Sequence, residues 1–392
     1  MQSKQSSRLR CLLCGALAVA LALAWQWLTV RHNFGGDWTG LFYSGEAWPP
    51  PPALAKESVK VFPATSGYDG QFYHYVAHDP LLRRQFDAYV DNPRLRWRRI
   101  LIPGAAHLFA GGRDNWVDAA YFCVELAFLF AGTYWLACFL QQHGITPFGG
   151  LAFALVPAAL ISLERMTIDI ALAALAVGFV LYAETRQWKG LYAVLVLAPL
   201  ARETGLLLVA GCVLSLLAER AWKRALVYST AAAPWLLWAA YVHGRTIEQA
   251  AGWISLAPFL GLWSGTQAAV ARPEESPAQM FALVVHGLAA AGIWLALGTA
   301  GLLLWEKGRK LGPAEGALAL FALLAVFLAN PEVWADSYAY GRVMSPLLIW
   351  LTMAGVASRQ FWMAAPLAMV IPRVATQFFT HWPGILRGMG GS

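Results

Sequence analysis

The residues most able to do chemistry lie in one polar stretch, Gly67 to Pro80, which reads GYDGQFYHYVAHDP. Tyr68-Asp69-Gly70-Gln71 sets a carboxylate beside an aromatic ring, a flexible residue and an amide. A carboxylate so placed can act as a general base, taking a proton from a hydroxyl as its oxygen attacks an electrophile. Asp-Gly is equally the material of a plain turn. A second acid, Asp37, stands upstream. Guanidinium groups recur elsewhere: Arg98-Arg99, Arg165 four residues before Asp169, Arg202-Glu203, and Arg342 two residues after Tyr340. Guanidinium forks match phosphate oxygens. A carboxylate near a cationic phosphate pocket is what a lipid-phosphate sugar donor requires.

Several of these residues also have simpler readings. His74 and His78 share a helical face at i, i+4, a spacing that can hold a metal, with Asp79 adjacent. The pair can instead face lipid headgroups, so no metal or other cofactor is assigned; a divalent cation is possible but not indicated. Arg165 and Asp169 are spaced to pair with each other, as are Arg202 and Glu203. Arg83, Arg84, Arg94, Arg96, Arg98 and Arg99 read as a headgroup-contacting surface from which Arg98 or Arg99 reaches a donor phosphate. Trp25, Trp27 and Trp48 read as interface anchors, and His107 as a packed histidine. Cys11-x-x-Cys14 has no second pair, and nothing suggests a disulfide framework.

The elements that must position these groups are membrane spans. The chain of 392 residues is 58% hydrophobic and only 13% charged, against roughly 25% charged in soluble domains. Its net charge of +7 comes from basic residues in short loops, not from a nucleic-acid-binding stripe. The run from Cys11 to Val30 is long enough to cross a hydrocarbon core of about 30 Å. It reads as a retained first span with a cytoplasmic N-terminus, since no cleavage pattern follows it.

A long outer loop, residues 31–112, comes next, with Pro49 to Pro52 as a rigid spacer and Ile100 to Gly112 as an interfacial or re-entrant piece. Ten further apolar segments follow: Trp116–Leu140, Phe148–Leu163, Ile168–Tyr182, Leu191–Leu200, Thr204–Leu217, Ala225–Val242, Met280–Trp305, Ala317–Leu328, Val343–Ala357 and Phe361–Phe379. The expectation is an all-α polytopic protein of about eleven spans, one membrane domain over 1–392.

Basic residues bias the orientation. Arg186, Lys189, Arg220, Lys223, Arg224, Lys307, Arg309, Lys310 and Arg359 fall on the cytoplasmic side, against single basics such as Arg165, Arg202, Arg245, Arg272 and Arg342 opposite. The acids of the first loop, Arg165 with Asp169, Arg202-Glu203, and Tyr340 with Arg342 then converge on the outer face.

GYDGQFYHYVAHDP, followed by RRILIPGAAHL from Arg98, resembles a block in polytopic glycosyltransferases of the GT-C superfamily, closest to bacterial relatives of the glycosylphosphatidylinositol mannosyltransferases. That resemblance implies that Asp69 is the essential loop acid. GGDWTGLFYSGEA from Gly35 resembles a block of the polyprenol-phosphate-mannose-dependent transferases, where the matching acid is Asp37. Asp69 is preferred and Asp37 stays open. The chain lacks the adjacent Asp-Glu pair of the protein mannosyltransferase branch.

The resemblance implies an inverting transferase in a bacterial inner membrane. It would move a mannose-like hexose from a polyprenyl-phosphate donor to a lipid, glycan or protein acceptor on the periplasmic side. Asp69 or Asp37 would be the catalytic base. Tyr68, Gln71, His74, Arg98, Arg99, Arg165, Asp169, Arg202, Glu203, Tyr340 and Arg342 would be the substrate contacts. A flippase or transporter of lipid-linked glycans and a non-catalytic envelope-assembly subunit are the rival readings. A transporter would place its ionisable groups near mid-membrane in two related halves.

Overall fold

The computed structural model describes residues 2–247, 252–270, 276–308 and 311–389. Arg272, Arg309 and Lys310, used above for orientation, lie outside them. The chain is almost wholly helical. The helices are α1 (Gln2–Asn33), α2 (Asp69–His78), α3 (Pro93–Arg98), α4 (Leu101–Phe109), α5 (Asp114–Gln142), α6 (Pro157–Arg165), α7 (Asp169–Glu184), α8 (Trp188–Ala201), α9 (Leu206–Ala218), α10 (Trp222–Ser229), α11 (Ala233–His243), α12 (Leu260–Val270), α13 (Pro277–Lys307), α14 (Pro313–Phe327), α15 (Pro331–Ala335), α16 (Ser337–Ser358), α17 (Ala365–Ala375) and α18 (Trp382–Met389). A two-residue parallel pairing of Ser44–Gly45 with Val61–Phe62 is the sheet among the described residues.

Every apolar segment read from the sequence is helical, but fewer are full spans than expected. Among the described residues, five helical stretches are long and apolar enough to cross a membrane: Arg8–Asn33, Asp114–Gln142, Trp222–His243, Pro277–Lys307 and Ser337–Ser358. A sixth arises if the 3-10 helix Pro147–Leu155 and α6, bent by 60°, count as one. The bend falls at Pro157, which can open a helix but cannot donate to the turn before it. The other expected spans are short or interrupted. α7 has 16 residues, about 24 Å of helix. α8 and α9 are separated by a break at Arg202, whose backbone is extended. The segment from Phe361 is broken into two 3-10 turns flanking α17.

α7 is the centre. Residues Asp169 to Leu181 are buried without exception, under α5, α8 and α16. The outer helices instead expose large apolar side chains: Leu21 on α1, Leu237 on α11 and Trp305 on α13 are 58%, 74% and 84% exposed. Apolar surface on that scale is unfavourable in water and suits lipid. The protein is a membrane-embedded helical bundle.

The first loop folds into a cap. α2 carries Phe72, Tyr75 and Val76 on one face, as the spacing predicts. They pack with Leu54, Phe86, Val90 and Trp97, and with Val242 from α11. The Trp97 indole donates to the Asp79 carbonyl at 2.8 Å, and the Trp238 indole to the Trp97 carbonyl at 2.7 Å. The cap is thereby tied to the bundle through α11.

Candidate active site

Asp69 is the first residue of α2, where the unpaired N–H groups of a helix start favour negative charge. Nine of the ten residues of α2 are buried, so each face of the helix meets protein. Gly70 explains part of the Asp-Gly pair: a Cβ there would overlap the Arg165 carbonyl oxygen, so only glycine lets α2 seat against the end of α6. The Asp69 carboxylate accepts from Arg96 Nη2 at 2.8 Å and from Arg342 Nη1 at 3.0 Å. Burial alone would raise its pKa. The two guanidinium groups outweigh that and hold it well below the ordinary carboxylate range.

From Asp69 the pairing continues in both directions. Arg96 also meets Asp91 at 2.6 Å. Arg342 reaches Asp169 at 3.2 Å, and Asp169 pairs with Arg202. Arg99 holds Glu203 with two bonds, at 2.9 and 2.5 Å. The Tyr73 hydroxyl joins the chains, accepting from Arg96 at 3.3 Å and Arg99 at 3.0 Å. The Tyr68 ring lies under the Arg342 guanidinium at 5.0 Å, and its hydroxyl is buried with no hydrogen-bond partner among the described residues. Residues from α2, α3, α7, α16 and the α8–α9 break, up to 273 positions apart, form one ionic network.

Asp69, Asp169, Arg202, Glu203 and Arg342 are thus brought together, with changes of partner. Arg165 and Asp169 do not pair with each other. Met166 adopts a left-handed backbone that ends α6, so the i, i+4 relation is lost. Arg165 instead stacks on Tyr43 at 3.7 Å. Arg202 and Glu203 also look outward, to Asp169 and Arg99, because the extended backbone at Arg202 sends neighbouring side chains apart. Arg96 and Arg99 are buried, not a headgroup surface. Arg96, which the sequence reading left on that surface, is the group that meets Asp69. Arg98 is half-buried.

Other expected residues have structural partners. The Gln71 amide accepts from Gly45 N–H at 3.0 Å and donates to the Ser66 carbonyl at 2.8 Å. Asp37 caps a short 3-10 helix, accepting from the Thr39 N–H at 2.9 Å and its hydroxyl at 2.7 Å. Tyr340 is buried and stacks on Trp334. Asp79 accepts the Arg83 and Arg84 N–H groups, closing the turn after α2. The His107 Nδ1 lies 3.0 Å from the Ala77 carbonyl. Trp25 is no simple interface anchor, since its indole donates to Glu164 at 3.0 Å.

His74 and His78 face α5 and not the Asp69 network. There they meet Asp118, Asp114 and Glu57. Glu125 was missed as well: it is fully buried in α5, and neither carboxylate oxygen has a hydrogen-bond partner among the described residues.

Two clefts flank this core. One, about 670 Å3, is an apolar groove between α4 and α5, lined by Leu101, Ala105, Phe109, Trp116, Cys123 and Phe128. It begins in sequence two residues after Arg99. The other, about 470 Å3, is lined by Glu184, Lys307, Glu315, Ser358 and Trp362. Glu184 and Ser358 stand at the far ends of α7 and α16 from Asp169 and Arg342, about 22–24 Å along each helix. Comparison with protein-family models, curated proteins and solved structures finds no match, so geometry carries the reading of this site.

Proposed function

We propose that the protein is a membrane glycosyltransferase that takes a sugar from a polyprenyl-phosphate donor and passes it to a hydroxyl acceptor. The observation that carries this reading is the shared guanidinium of Arg342, which bonds Asp69 and Asp169 together while Arg96 holds the other oxygen of Asp69. An incoming phosphate monoanion competes with Asp69 for the Arg96 and Arg342 forks. Its arrival releases the carboxylate to accept the acceptor's proton. Attack of the deprotonated oxygen on the anomeric carbon breaks the bond to the phosphate oxygen and inverts that carbon. The lipid phosphate leaves on the arginines. The apolar groove beside Leu101 suits the first isoprene units of the donor tail.

The finer topology belongs to the same proposal. Counting the short and broken helices as crossings gives eleven spans, with the N-terminus cytoplasmic and the Asp69 network at the periplasmic end of a bacterial inner membrane. Irregular backbone at Arg202 is tolerated at membrane depth because it is buried in protein. Asp37 is demoted as a base, since its Oδ1 caps a helix.

The test is transfer in lipid-reconstituted protein. Labelled polyprenyl-phosphate mannose, glucose and arabinose are offered with an envelope lipid extract, and wild type is compared with Asp69→Asn and Asp37→Asn. Label moved by wild type and by Asp37→Asn, but not by Asp69→Asn, supports the assignment. Equal transfer by all three overturns it. Donor crossing the bilayer without transfer places the protein with the flippases.

A further inference from the structure

On the opposite face of α2 from Asp69's partners, four side chains from three elements point at one spot. His74 Nε2 and His78 Nε2 come from α2, Asp118 Oδ1 from α5, and Glu57 Oε2 from the turn that ends the Pro52–Glu57 helix. These four atoms all lie within 4.8 Å of one another. His74 Nε2 is 2.7 Å from Asp118 Oδ1 and 3.1 Å from His78 Nε2. His78 Nε2 is 3.2 Å from Glu57 Oε2 and 3.6 Å from Asp118 Oδ1. Nitrogen and oxygen ligands at about 2.0–2.2 Å from a tetrahedral ion stand about 3.3–3.6 Å apart. Three of the observed separations fall 0.1–0.6 Å short of that range and the fourth lies at its upper edge, so binding spreads the four atoms slightly.

Hydrogen bonding alone does not account for the arrangement. His78 Nδ1 lies 3.0 Å from Asp114 Oδ1, and Asp114 is itself held by Arg84 at 2.7 Å. With its Nδ1 proton on Asp114, a neutral His78 turns the bare lone pair of Nε2 toward two carboxylate oxygens and a second imidazole. Even doubly protonated, Nε2 has one proton for three neighbours. Glu57 Oε2 is sealed from solvent and accepts no hydrogen bond among the described residues. A carboxylate behind a histidine, fixing its tautomer and orientation, is the usual support of a metal-binding imidazole. Both imidazole rings are buried, while the side chains of Glu57 and Asp118 keep 16% and 24% exposure, which leaves an entry path.

We infer that Glu57, His74, His78 and Asp118 bind one divalent transition-metal ion of the zinc class. Two imidazoles and two carboxylates form a neutral set around a dication and suit Zn(II) better than Mg(II) or Ca(II), which prefer all-oxygen shells. Four protein ligands close a tetrahedral site, so the ion is structural. It staples the loop and α2 to α5, and so fixes Asp69 at the start of α2 without touching it. The sequence pairing of His74 and His78 with Asp79 named the right histidines and the wrong acid. This inference does not depend on the transferase reading.

The full chain, purified in detergent without chelator, is analysed by elemental mass spectrometry. The expected content is about one zinc-class ion per chain. Wild type stripped with EDTA is then titrated with Zn(II), Mn(II) and Co(II), with melting temperature as a second readout. Zn(II) is expected to raise the melting temperature, and Glu57→Gln and Asp114→Asn to weaken uptake by about 10–100-fold. His74→Ala/His78→Ala is expected to abolish uptake, while His107→Gln keeps it. Since the double-histidine variant can fail to fold, the Glu57→Gln titration decides independently. No uptake by stripped wild type, or unchanged uptake by Glu57→Gln and Asp114→Asn together, overturns the site.

Discussion

Replacing Asp69 with Asn separates chemistry from stability because of how its two partners are shared. The substitution keeps the volume and one acceptor oxygen but removes the charge that faces Arg96 and Arg342 at 2.8 and 3.0 Å. Breaking a buried ion pair costs about 3–5 kcal/mol when it strands a charge. Neither guanidinium is stranded here: Arg96 keeps Asp91 at 2.6 Å and Arg342 keeps Asp169 at 3.2 Å. The loss is then nearer that of one charge-assisted hydrogen bond, about 1.5–3 kcal/mol. Loss of a general base lowers turnover by about 10²–10⁴-fold. Asp169→Asn is the contrast, because it leaves Arg202 with no carboxylate partner among the described residues. It should cost the full 3–5 kcal/mol scale of a stranded buried charge. The assay pairs label transfer in liposomes with thermal melting and size-exclusion in detergent for both variants. Asp69→Asn should elute and melt near wild type yet transfer at least about a hundredfold more slowly. If it transfers within tenfold of wild type, Asp69 is an ion-pair residue only. If it unfolds as readily as Asp169→Asn, the partner-sharing argument fails.

Three further outcomes follow from the same contacts. Asp37→Asn should leave both folding and transfer intact, because Asn caps as well as Asp, whereas Asp37→Ala should cost about 0.5–2 kcal/mol in melting experiments with transfer per folded molecule unchanged. Gly70→Ala, which drives a methyl into the Arg165 carbonyl, should displace α2 and lower both the melting temperature and transfer; an active, stable variant would show that α2 is not seated as described. The third outcome concerns pH. Asp69's folded pKa lies below its unfolded value of about 3.9. Its ion pairs therefore contribute fully above that value and are lost as pH falls through the folded one. The melting difference between wild type and Asp69→Asn should stay constant from about pH 8 to 5 and shrink only below about pH 4.

Hydrophobic length made the membrane class and the places of the helices readable, since an apolar run of given length must be helical to satisfy its own backbone in lipid. It did not make their completeness readable. The bend at Pro157, the extended residue Arg202 and the short α7 shorten or break helices without much altering hydropathy. The site was legible as a list and illegible as a set of pairs. Asp69, Asp169, Arg99, Arg202, Glu203 and Arg342 are all in the network, yet each nearest-neighbour pairing suggested by spacing was wrong. Spacing predicts partners only while the helix continues, and these groups sit where helices stop. Arg96 was within reach of sequence reasoning. Asn92 caps α3, Pro93 opens it, and Arg96 and Arg99 fall three apart on one face. Tyr73, four residues after Asp69, could have been found in the same way. Asp118 and Glu57 could not, because nothing local ties them to His74 and His78. This division follows from where α2 sits. One short helix serves two clusters, with Asp69 and Tyr73 turned toward the arginines and His74 and His78 toward α5. A device that fixes the second face fixes the first, so the precision of the Asp69 site rests on residues that take no part in it.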